Sequence, residues 1–345
     1  MKVLLVKTSS LGDVIHALPA VSDALTSVPG LSLDWVVEEA FADIPRRHPG
    51  VSNVIPCAVR RWRRQWWASR GEILQLRQRL QNNHYDLVLD SQGLLKSALI
   101  ARLAGASVTA GYQRDSAREP LAALFYRRTS EVPLDLHAVT RQRRLFADLL
   151  GYDCPDTPVN FGLTTGDQSP DSAVLCFHGT TWATKHWPVH CWKTLGRLLA
   201  GAGLAMRLPA GNSEERQRAE TIAAAVGDTA SVLPPMSLDA LCTELTRVQG
   251  VVTVDTGLGH LAGALNLPLV AIYGPTRPAL TGPLSQYQTI FADTNLPCAP
   301  CMNKHCRYDE DTQERRIFPP CFETSSPEQV LEALQQQIEV ARSAN

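Results

Sequence analysis

The residues best suited to chemistry lie in short loops that follow apolar stretches of the chain. The first apolar stretch, residues 3–6, runs into a Ser- and Gly-containing loop in which Asp13 stands near the start of a helical pattern. Small residues such as Gly12 let backbone amides approach a ligand at a helix N-terminus, where the helix dipole favours negative charge. Asp13 can equally be a favourable acidic residue of the first helical turn. The loop lacks the Walker and G-x-G-x-x-G patterns, which gives little support to a phosphoryl-transfer or dinucleotide site.

A second loop, at residues 180–185, follows the apolar stretch SAVLCFHG. Thr180 and Thr181 bring two adjacent hydroxyls to this loop, and Lys185 brings one ammonium. These groups can hold a diphosphate and stabilise the negative charge that builds on it as it leaves. The structural alternative is a turn with a solvated lysine, so the residue types favour an anionic ligand without requiring one.

The segment VDTGLGHLAG, residues 254–263, is the strongest signal of the second half. Asp255 ends a strand pattern, and Thr256 and Gly257 then open a helix with free backbone amides. Such amides suit a diphosphate, and the carboxylate can accept hydrogen bonds from sugar hydroxyls. His260 falls in the first turn of that helix, where an isolated histidine is usually structural; a phosphate contact through it depends on its protonation state.

A basic and aromatic run lies in the sequence between the Asp13 loop and the loop at residues 180–185. Its four arginines and three tryptophans are Arg60, Arg61, Trp62, Arg63, Arg64, Trp66 and Trp67. Arginine forks pair well with carboxylate and phosphate, whereas interleaved tryptophans can stack on bases, so an RNA-binding module is an alternative of a different class. A solvated helix face with tryptophan packed beneath it is the structural alternative. An isoelectric point of about 6.8 and the lack of a nucleic-acid fold signature argue against RNA.

Four of the nine cysteines cluster near the C-terminus, as Cys298-x2-Cys301-x4-Cys306 and then Cys321. Nine cysteines without an export signal predict a reducing compartment, where metal ligands or free thiols are commoner than disulfides. Four thiols with a close first pair are compatible with tetrahedral zinc, although the later spacings match no standard finger or ribbon. Unliganded thiols are an equal alternative, followed by a disulfide or an iron–sulfur cluster.

The elements that must position these loops alternate along the chain. Apolar strand patterns followed by helical patterns predict parallel, doubly wound sheets. The 345 residues favour two domains, and a polar stretch with Pro and Gly at residues 153–172 marks the linker. We therefore expect two Rossmann-like α/β domains, residues 1–160 and 161–345, the second with a Cys-rich insertion at about 295–322 and a terminal helix. Two such halves suggest a ligand cleft between them.

The composition excludes several classes of protein. Hydrophobic residues make up 44% and charged residues 19%, which is typical of soluble globular chains and excludes a disordered or fibrous one. No segment approaches about 20 consecutive apolar residues, so any contact with a membrane must be peripheral.

Seven segments occur in the order and spacing found in the bacterial lipopolysaccharide heptosyltransferases, a glycosyltransferase family that the chain resembles from residue 1 to about 281. They are KTSSLGDVIHALPA, WVVEEAFADIP, VIPCAVRRWRR, DSQGLLKSA, DSAREPLA, TTWATKHWP and VDTGLGHLAGAL. The resemblance implies the two-domain GT-B fold, with the acceptor on the N-terminal half and ADP-heptose on the C-terminal half. It also implies an inverting, single in-line displacement, for which one positioned carboxylate can serve as general base.

The resemblance assigns roles to individual residues, and it makes Asp13 the general base. The implied donor-binding residues are Thr180, Thr181, Lys185, Glu215, Met236, Asp255, Thr256, Gly257, Leu258 and His260. Among them, the Glu215 carboxylate suits ribose hydroxyls, and Met236 would border the adenine or simply pack in the core. The implied acceptor-binding residues are Ser10, Gly12, Arg60, Arg61, Arg63, Arg64 and Arg118.

The reaction implied by the resemblance is transfer of L-glycero-D-manno-heptose from ADP-heptose to Kdo of Kdo-lipid A. No cofactor is expected for catalysis, because a lysine, a histidine and a helix N-terminus can neutralise the leaving diphosphate. We expect a cytoplasmic enzyme of a Gram-negative bacterium that contacts the inner membrane peripherally, through Trp66 and Trp67. The alternatives are a family member that adds heptose to heptose, an enzyme using another nucleotide sugar, and a non-catalytic anion- or RNA-binding module. No nucleic-acid partner is expected.

Overall fold

The chain folds as two compact units, each built on its own sheet. The computed structural model describes residues 1–164, 170–293, 295–308 and 317–344, and it divides into Met1–Leu163 and Thr164–Asn345. The division thus follows residue 163, whereas the sequence placed the boundary after residue 160.

The first unit alternates strands and helices along a parallel sheet. Its strands are β1 (Lys2–Val6), β2 (Ser32–Glu38), β3 (Val51–Cys57), β4 (Leu87–Asp90), β5 (Val108–Tyr112) and β6 (Arg128–Ser130). Its helices are α1 (Leu11–Ser27), α2 (Asp43–Arg46), α3 (Val59–Arg64), α4 (Arg70–Asn82), α5 (Leu95–Leu103) and α6 (Ala138–Leu150), with 3-10 turns at Glu39–Phe41 and Pro120–Phe125. The sheet order β3-β2-β1-β4-β5-β6 is that of a Rossmann fold.

The second unit repeats this topology. Its strands are β7 (Asp171–Phe177), β8 (Ala205–Leu208), β9 (Ala230–Val232), β10 (Val248–Val254), β11 (Leu269–Tyr273) and β12 (Gln288–Ala292). Its helices are α7 (Val189–Gly201), α8 (Ser213–Val226), α9 (Leu238–Leu245), α10 (Gly257–Ala264), α11 (Pro278–Thr281) and α12 (Pro327–Ala344), with 3-10 turns at Ala183–Lys185 and Pro320–Phe322. If β7 to β12 are renumbered from one to six, the sheet order β12-β11-β10-β7-β8-β9, read from β9, is the same as that of the first sheet.

Both sheets form because continuous apolar strands are covered on their two faces. Every residue of β4 and of β11 is buried, as expected for the interior of a parallel sheet between helices. In the second unit, the Trp187 and Trp192 rings meet edge to face with centroids 5.0 Å apart. Leu334 on the terminal helix α12 is buried in the same core. The predicted pair of doubly wound parallel α/β domains is therefore confirmed.

The two sheets place their loops in a regular way. Strands of a parallel sheet all end at one edge, so the loops that follow neighbouring strands meet there. In the first unit this brings together the loops after β1 and β4, and in the second unit the loops after β7, β10 and β11. In the part of the chain that the structure describes, no helix combines the length and apolar character needed to cross a bilayer.

Candidate functional site

Asp13 lies in the first turn of α1, directly after the β1 loop. Its Oδ2 atom accepts hydrogen bonds of 2.9 Å from both the backbone N–H and the hydroxyl of Ser10, which caps the helix. Burial alone would raise the pKa of Asp13, but the nearby Lys7 ammonium and the Ser10 hydrogen bonds outweigh burial and hold this pKa below its usual range. The side chain stays 31% exposed, so the residue is an ionised carboxylate that a substrate can reach.

Lys7 places an ammonium group beside this carboxylate, and sequence analysis did not single it out. Its Nζ atom lies 3.9 Å from Asp13 Oδ1 and donates a 3.0 Å hydrogen bond to the Ser91 carbonyl. Burial lowers the pKa of Lys7, while Asp13 and Asp90 act in the opposite direction. The sequence feature that could have identified Lys7 is its position directly after β1, at the sheet edge where ligands bind.

A second lysine joins the same region from another loop. Lys96, in the first turn of α5, donates a 3.1 Å hydrogen bond from Nζ to Ser9 Oγ. The Gln92 side-chain oxygen accepts from the backbone N–H groups of Thr8 and Ser9, at 3.1 Å each. The loops after β1 and β4 are therefore held together by direct contacts, and both bring ammonium groups to the vicinity of the Asp13 loop.

Arg118 is a further predicted acceptor residue that the structure brings near Asp13, as it does Ser10. Its charge acts on both Lys7 and Asp13, and its backbone N–H lies next to Gly93. Gly93 has a φ of +67°, and an added Cβ would come within 3.4 Å of that N–H, so this close approach favours glycine. The charge cluster around Asp13 thus combines residues that the sequence singled out with residues that it did not.

The four arginines of α3 have different surroundings. Arg61 forms ion pairs with Glu39 and Glu72, at 3.3 and 2.7 Å, and so is already neutralised. The Arg60 guanidinium lies 5.2 Å from the centroid of the Phe41 ring. Arg63 and Arg64 are exposed.

The tryptophans of this run separate into two kinds. Trp62 is buried, and its indole N–H donates a 2.8 Å hydrogen bond to Glu72. Trp66 and Trp67 are instead 56% and 74% exposed, and the Arg70 guanidinium stacks 3.7 Å from the Trp67 ring centroid. The packed-tryptophan interpretation therefore holds for Trp62 alone.

In the second unit, three loops converge on Asp255. The Lys185 ammonium pairs with Asp255 Oδ2 at 2.6 Å, and the Thr276 hydroxyl donates to the same oxygen at 2.6 Å. The Thr180 hydroxyl donates to the Asp255 carbonyl at 2.9 Å. Three of these residues were predicted from sequence, whereas Thr276 was not, because it comes from the loop after β11. The Lys185 ammonium also lies 4.5 Å from the centroid of the Trp182 ring.

A pocket of about 170 Å³ lies beside this polar cluster. It is lined by Phe177, Gly179, Pro209, Ala210, Gly211, Glu215, Pro234, Met236, Ser237, Leu238, Leu241, Thr256 and Leu258. The Glu215 carboxylate accepts a 2.7 Å hydrogen bond from the Gly211 N–H. A Cβ added to Gly179 would lie only 2.6 Å from that carboxyl group, so a larger residue there would displace the Glu215 side chain. Four predicted donor-binding residues therefore share one pocket.

The remaining predicted donor residues are not among those that line this pocket. Gly257 is the first residue of α10, whose N-terminal amides adjoin Thr256. Thr181 is exposed. His260 is buried and is not among the residues that line the pocket, so its phosphate contact stays a prediction.

The four clustered cysteines meet at one cavity of about 120 Å³. Cys298, Cys301, Cys306 and Cys321 all line it, and all four are free thiols. Burial raises the pKa of Cys321 to about 12, and the neighbouring thiols add to this effect. Over the described ranges, no three His, Cys, Asp or Glu side chains are grouped in a way that could hold a metal ion. The present arrangement therefore does not fit zinc, and that hypothesis is not confirmed.

Comparisons with known proteins give one consistent result. Residues 73–311 match the model of glycosyltransferase family 9 (heptosyltransferase). The chain is 47% identical to lipopolysaccharide heptosyltransferase 1 of Pseudomonas aeruginosa, over 97% of each chain. It is 44% identical to the enzyme of the same name from Escherichia coli K12, over 84% of this chain and 93% of the relative.

Solved structures agree with these matches. The structure of E. coli heptosyltransferase WaaC with ADP superimposes with a TM-score of 0.84 at 38% identity, covering 98% of this chain and 100% of WaaC. The structure of E. coli ADP-heptose heptosyltransferase II gives a TM-score of 0.76 at 21% identity, covering 99% of this chain and 100% of the other. This likeness confirms the predicted GT-B fold class.

Proposed function

Because the chain belongs to glycosyltransferase family 9, we propose that it transfers L-glycero-D-manno-heptose from ADP-heptose to Kdo of Kdo-lipid A. The observation that carries the proposal is 47% identity to a lipopolysaccharide heptosyltransferase 1 over nearly the whole of both chains. The activity is that of a glycosyltransferase, which removes the non-catalytic RNA- or anion-binding alternative. The N-terminal unit holds the acceptor and the C-terminal unit the donor.

The donor assignment is supported by the second unit's pocket and by the ligands of a relative. WaaC has been solved with ADP and with ADP-2-deoxy-2-fluoro heptose. In this chain, Glu215 would bind the ribose and Met236 would border the adenine. The amides of Thr256, Gly257 and Leu258 would then meet the diphosphate at the N-terminus of α10, where the helix dipole favours an anion.

The chemical step follows from one carboxylate and one lysine. The acceptor hydroxyl gives its proton to Asp13 as its oxygen attacks the anomeric carbon of heptose. The bond from that carbon to the diphosphate oxygen breaks, and the configuration inverts. Lys185, with the hydroxyls of Thr180 and Thr181, offsets the charge that develops on the departing ADP. Lys7 keeps Asp13 ionised, so that it is ready to accept the proton.

The acceptor carries carboxylate and phosphate groups, which guanidinium and ammonium groups recognise well. Arg118, together with Lys7 and Lys96, supplies positive charge around Asp13, and Arg63 and Arg64 offer further exposed guanidinium groups. Trp66 and Trp67 are exposed indoles of the kind that favour a lipid–water interface. We therefore propose a cytoplasmic enzyme that associates peripherally with the inner membrane.

The nearest alternative is addition of heptose to heptose. Lipooligosaccharide heptosyltransferase 2 of Haemophilus influenzae is 33% identical to this chain, but over only 31% of it. Because this match covers less than a third of the chain, whereas the heptosyltransferase 1 match covers nearly all of it, transfer to Kdo is favoured over transfer to heptose. A transfer assay with radiolabelled ADP-heptose and matched Kdo-terminated and heptose-terminated acceptors separates the two. Label should appear on the Kdo-terminated acceptor, and transfer to the heptose-terminated acceptor alone would reject the proposal.

Structural zinc stays a separate prediction about the four-cysteine cavity. The four thiols share one cavity, although their present arrangement does not fit a metal ion. Metal analysis of protein purified without chelators decides the matter, because a tetrathiolate site would hold one zinc per chain. A stoichiometry near zero would leave the cysteines as free thiols.

A further inference from the structure

The cysteine-rich segment touches the loop that we assign to the donor diphosphate. The Thr184 hydroxyl donates a 2.7 Å hydrogen bond to the Asn303 carbonyl, across 119 residues of sequence. On its other side, the Met302 N–H donates a 2.8 Å bond to the Pro275 carbonyl. Residues 302–303 are therefore tied both to the loop after β7 and to the loop after β11.

The segment is anchored on both sides of these contacts. Cys301 precedes Met302, Cys306 lies a few residues beyond, and both line the four-cysteine cavity together with Thr184 and Pro275. Met302 has a φ of +55°, a left-handed conformation that costs a non-glycine residue free energy and persists where neighbouring contacts hold it. The turn that follows Met302 is thus fixed by its contacts.

This turn presents a lysine to the donor loop. The Lys304 ammonium lies 5.6 Å from the centroid of the Trp182 ring, and the Lys185 ammonium lies 4.5 Å from the centroid of the same ring. Two lysines from distant parts of the sequence therefore share one indole. Two ammonium groups beside one ring repel each other, and an anion bound near both of them relieves that repulsion.

The charge balance of the site calls for such a second cation. Asp255 lies 2.6 Å from Lys185 and already offsets its charge before any ligand binds. A departing diphosphate brings at least two negative charges, so the Lys185–Asp255 pair and the α10 amides leave part of that charge unmatched. Lys304 comes from outside the donor loop, and the Thr184–Asn303 contact holds the adjacent residue, so its ammonium lies beside Trp182 of that loop.

We propose that Lys304 binds the donor diphosphate as a second cation, carried into place by the Met302–Asn303 contacts of the cysteine-rich segment. The inference rests on the proposed function and adds a donor-binding residue from a segment outside the resemblance that the sequence shows. The segment is then part of the donor site, and the packing of its residues around the four-cysteine cavity positions Lys304.

The test compares ADP with AMP, because only ADP carries the second phosphate. Lys304→Gln should weaken ADP binding by about tenfold, the effect of losing one charge-assisted hydrogen bond. AMP binding should change by less than about threefold, and Lys304→Arg should restore most of the ADP affinity because it keeps the charge. Isothermal titration calorimetry of the full chain measures both ligands. Lys193→Gln, on α7, is the matched control and should leave both affinities unchanged.

A second variant tests the link rather than the charge. Thr184→Val removes the hydroxyl that bonds to the Asn303 carbonyl while it preserves side-chain volume. It should weaken ADP binding in the parent chain and have little further effect in the Lys304→Gln background, because both changes act through one contact. Additive losses would overturn the proposed link.

The outcomes separate this inference from the proposed function. If the parent chain binds ADP and transfers heptose while Lys304→Gln keeps the parent ADP-to-AMP affinity ratio, the inference alone fails. It also fails if Arg277→Gln, in the loop after β11, lowers that ratio while Lys304→Gln does not. If the parent chain does not bind ADP, the proposed function falls as well.

Discussion

Asp13 and Asp255 both follow a central strand of their sheets, β1 and β10, yet their surroundings differ. Asp13 is 31% exposed, accepts two hydrogen bonds from Ser10, and lies 3.9 Å from the Lys7 ammonium. Asp255 is 9% exposed, and a lysine and a threonine both contact one of its oxygens at 2.6 Å. An accessible carboxylate with one oxygen uncommitted to short contacts suits proton transfer, whereas an enclosed and paired carboxylate suits the organisation of a binding loop.

The largest expected difference between these regions is in turnover. Asp13→Asn and Asp13→Ala should lower kcat by roughly 10²- to 10⁴-fold, the usual contribution of a general base. ADP affinity should stay within about twofold, since the substitution lies in the first unit. A radiolabelled transfer assay and calorimetry measure the two quantities. Asp43→Asn, on α2, is the control, and near-normal turnover of the Asp13 variants would remove the base assignment.

Breaking the enclosed pair should instead cost stability and donor binding. Lys185→Ala leaves Asp255 without its ammonium partner in a largely buried place, which typically costs about 3–5 kcal/mol. We expect a lower melting temperature and weaker ADP binding, measured by calorimetry. Glu220→Gln removes one side of an exposed helix pair and should change stability by less than about 0.5 kcal/mol. Equal effects of the two variants would erase the contrast between an enclosed and an exposed pair.

The pH dependence of turnover should respond to Lys7. Its ammonium helps to hold the pKa of Asp13 below the ordinary value of 3.8, so this carboxylate stays ionised as pH falls through that value. Lys7→Met removes this support and raises the pKa of Asp13. The acidic limb of kcat against pH should then move to higher pH by about one unit.

Lys2→Met, at the other end of the same strand, is the control for the Lys7 variant. The lowered pKa of Asp13 also affects folding. It stabilises the fold above pH 3.8, and this contribution is lost as pH falls through the lowered pKa. An acidic limb that does not move in Lys7→Met would show that Lys7 does not tune the base.

The smallest expected effect separates the arginines of α3. Arg63→Gln with Arg64→Gln should raise the KM for the acceptor by about threefold, since exposed charges contribute little individually. Arg61→Gln should instead act on the local ion pairs with Glu39 and Glu72. Initial rates against acceptor concentration, with ADP affinity as the control, distinguish the two. An acceptor KM that changes only in Arg61→Gln would reverse this assignment.

Several features of the site could be predicted from local sequence because their physical cause is local. A strand followed by small residues and a helix start is visible in one stretch of sequence, and it located Asp13, Lys185 and Asp255. Glu215 and Met236 came from the family resemblance, and they line one pocket with Thr256. Lys7 was missed although it follows the same strand as Asp13, because its importance depends on burial beneath the loop after β4.

The sequence alone determined the alternation of strands and helices, the two domains and the post-strand loops, because apolar periodicity and turn chemistry act over a few residues. Only the tertiary structure decided which loops meet. Thr276 reaches Asp255 from the next strand of the sheet, and Asn303 reaches Thr184 across more than a hundred residues. Such contacts depend on strand order and on the path of the chain between strands, and neither is written in the spacing of the residues that finally touch.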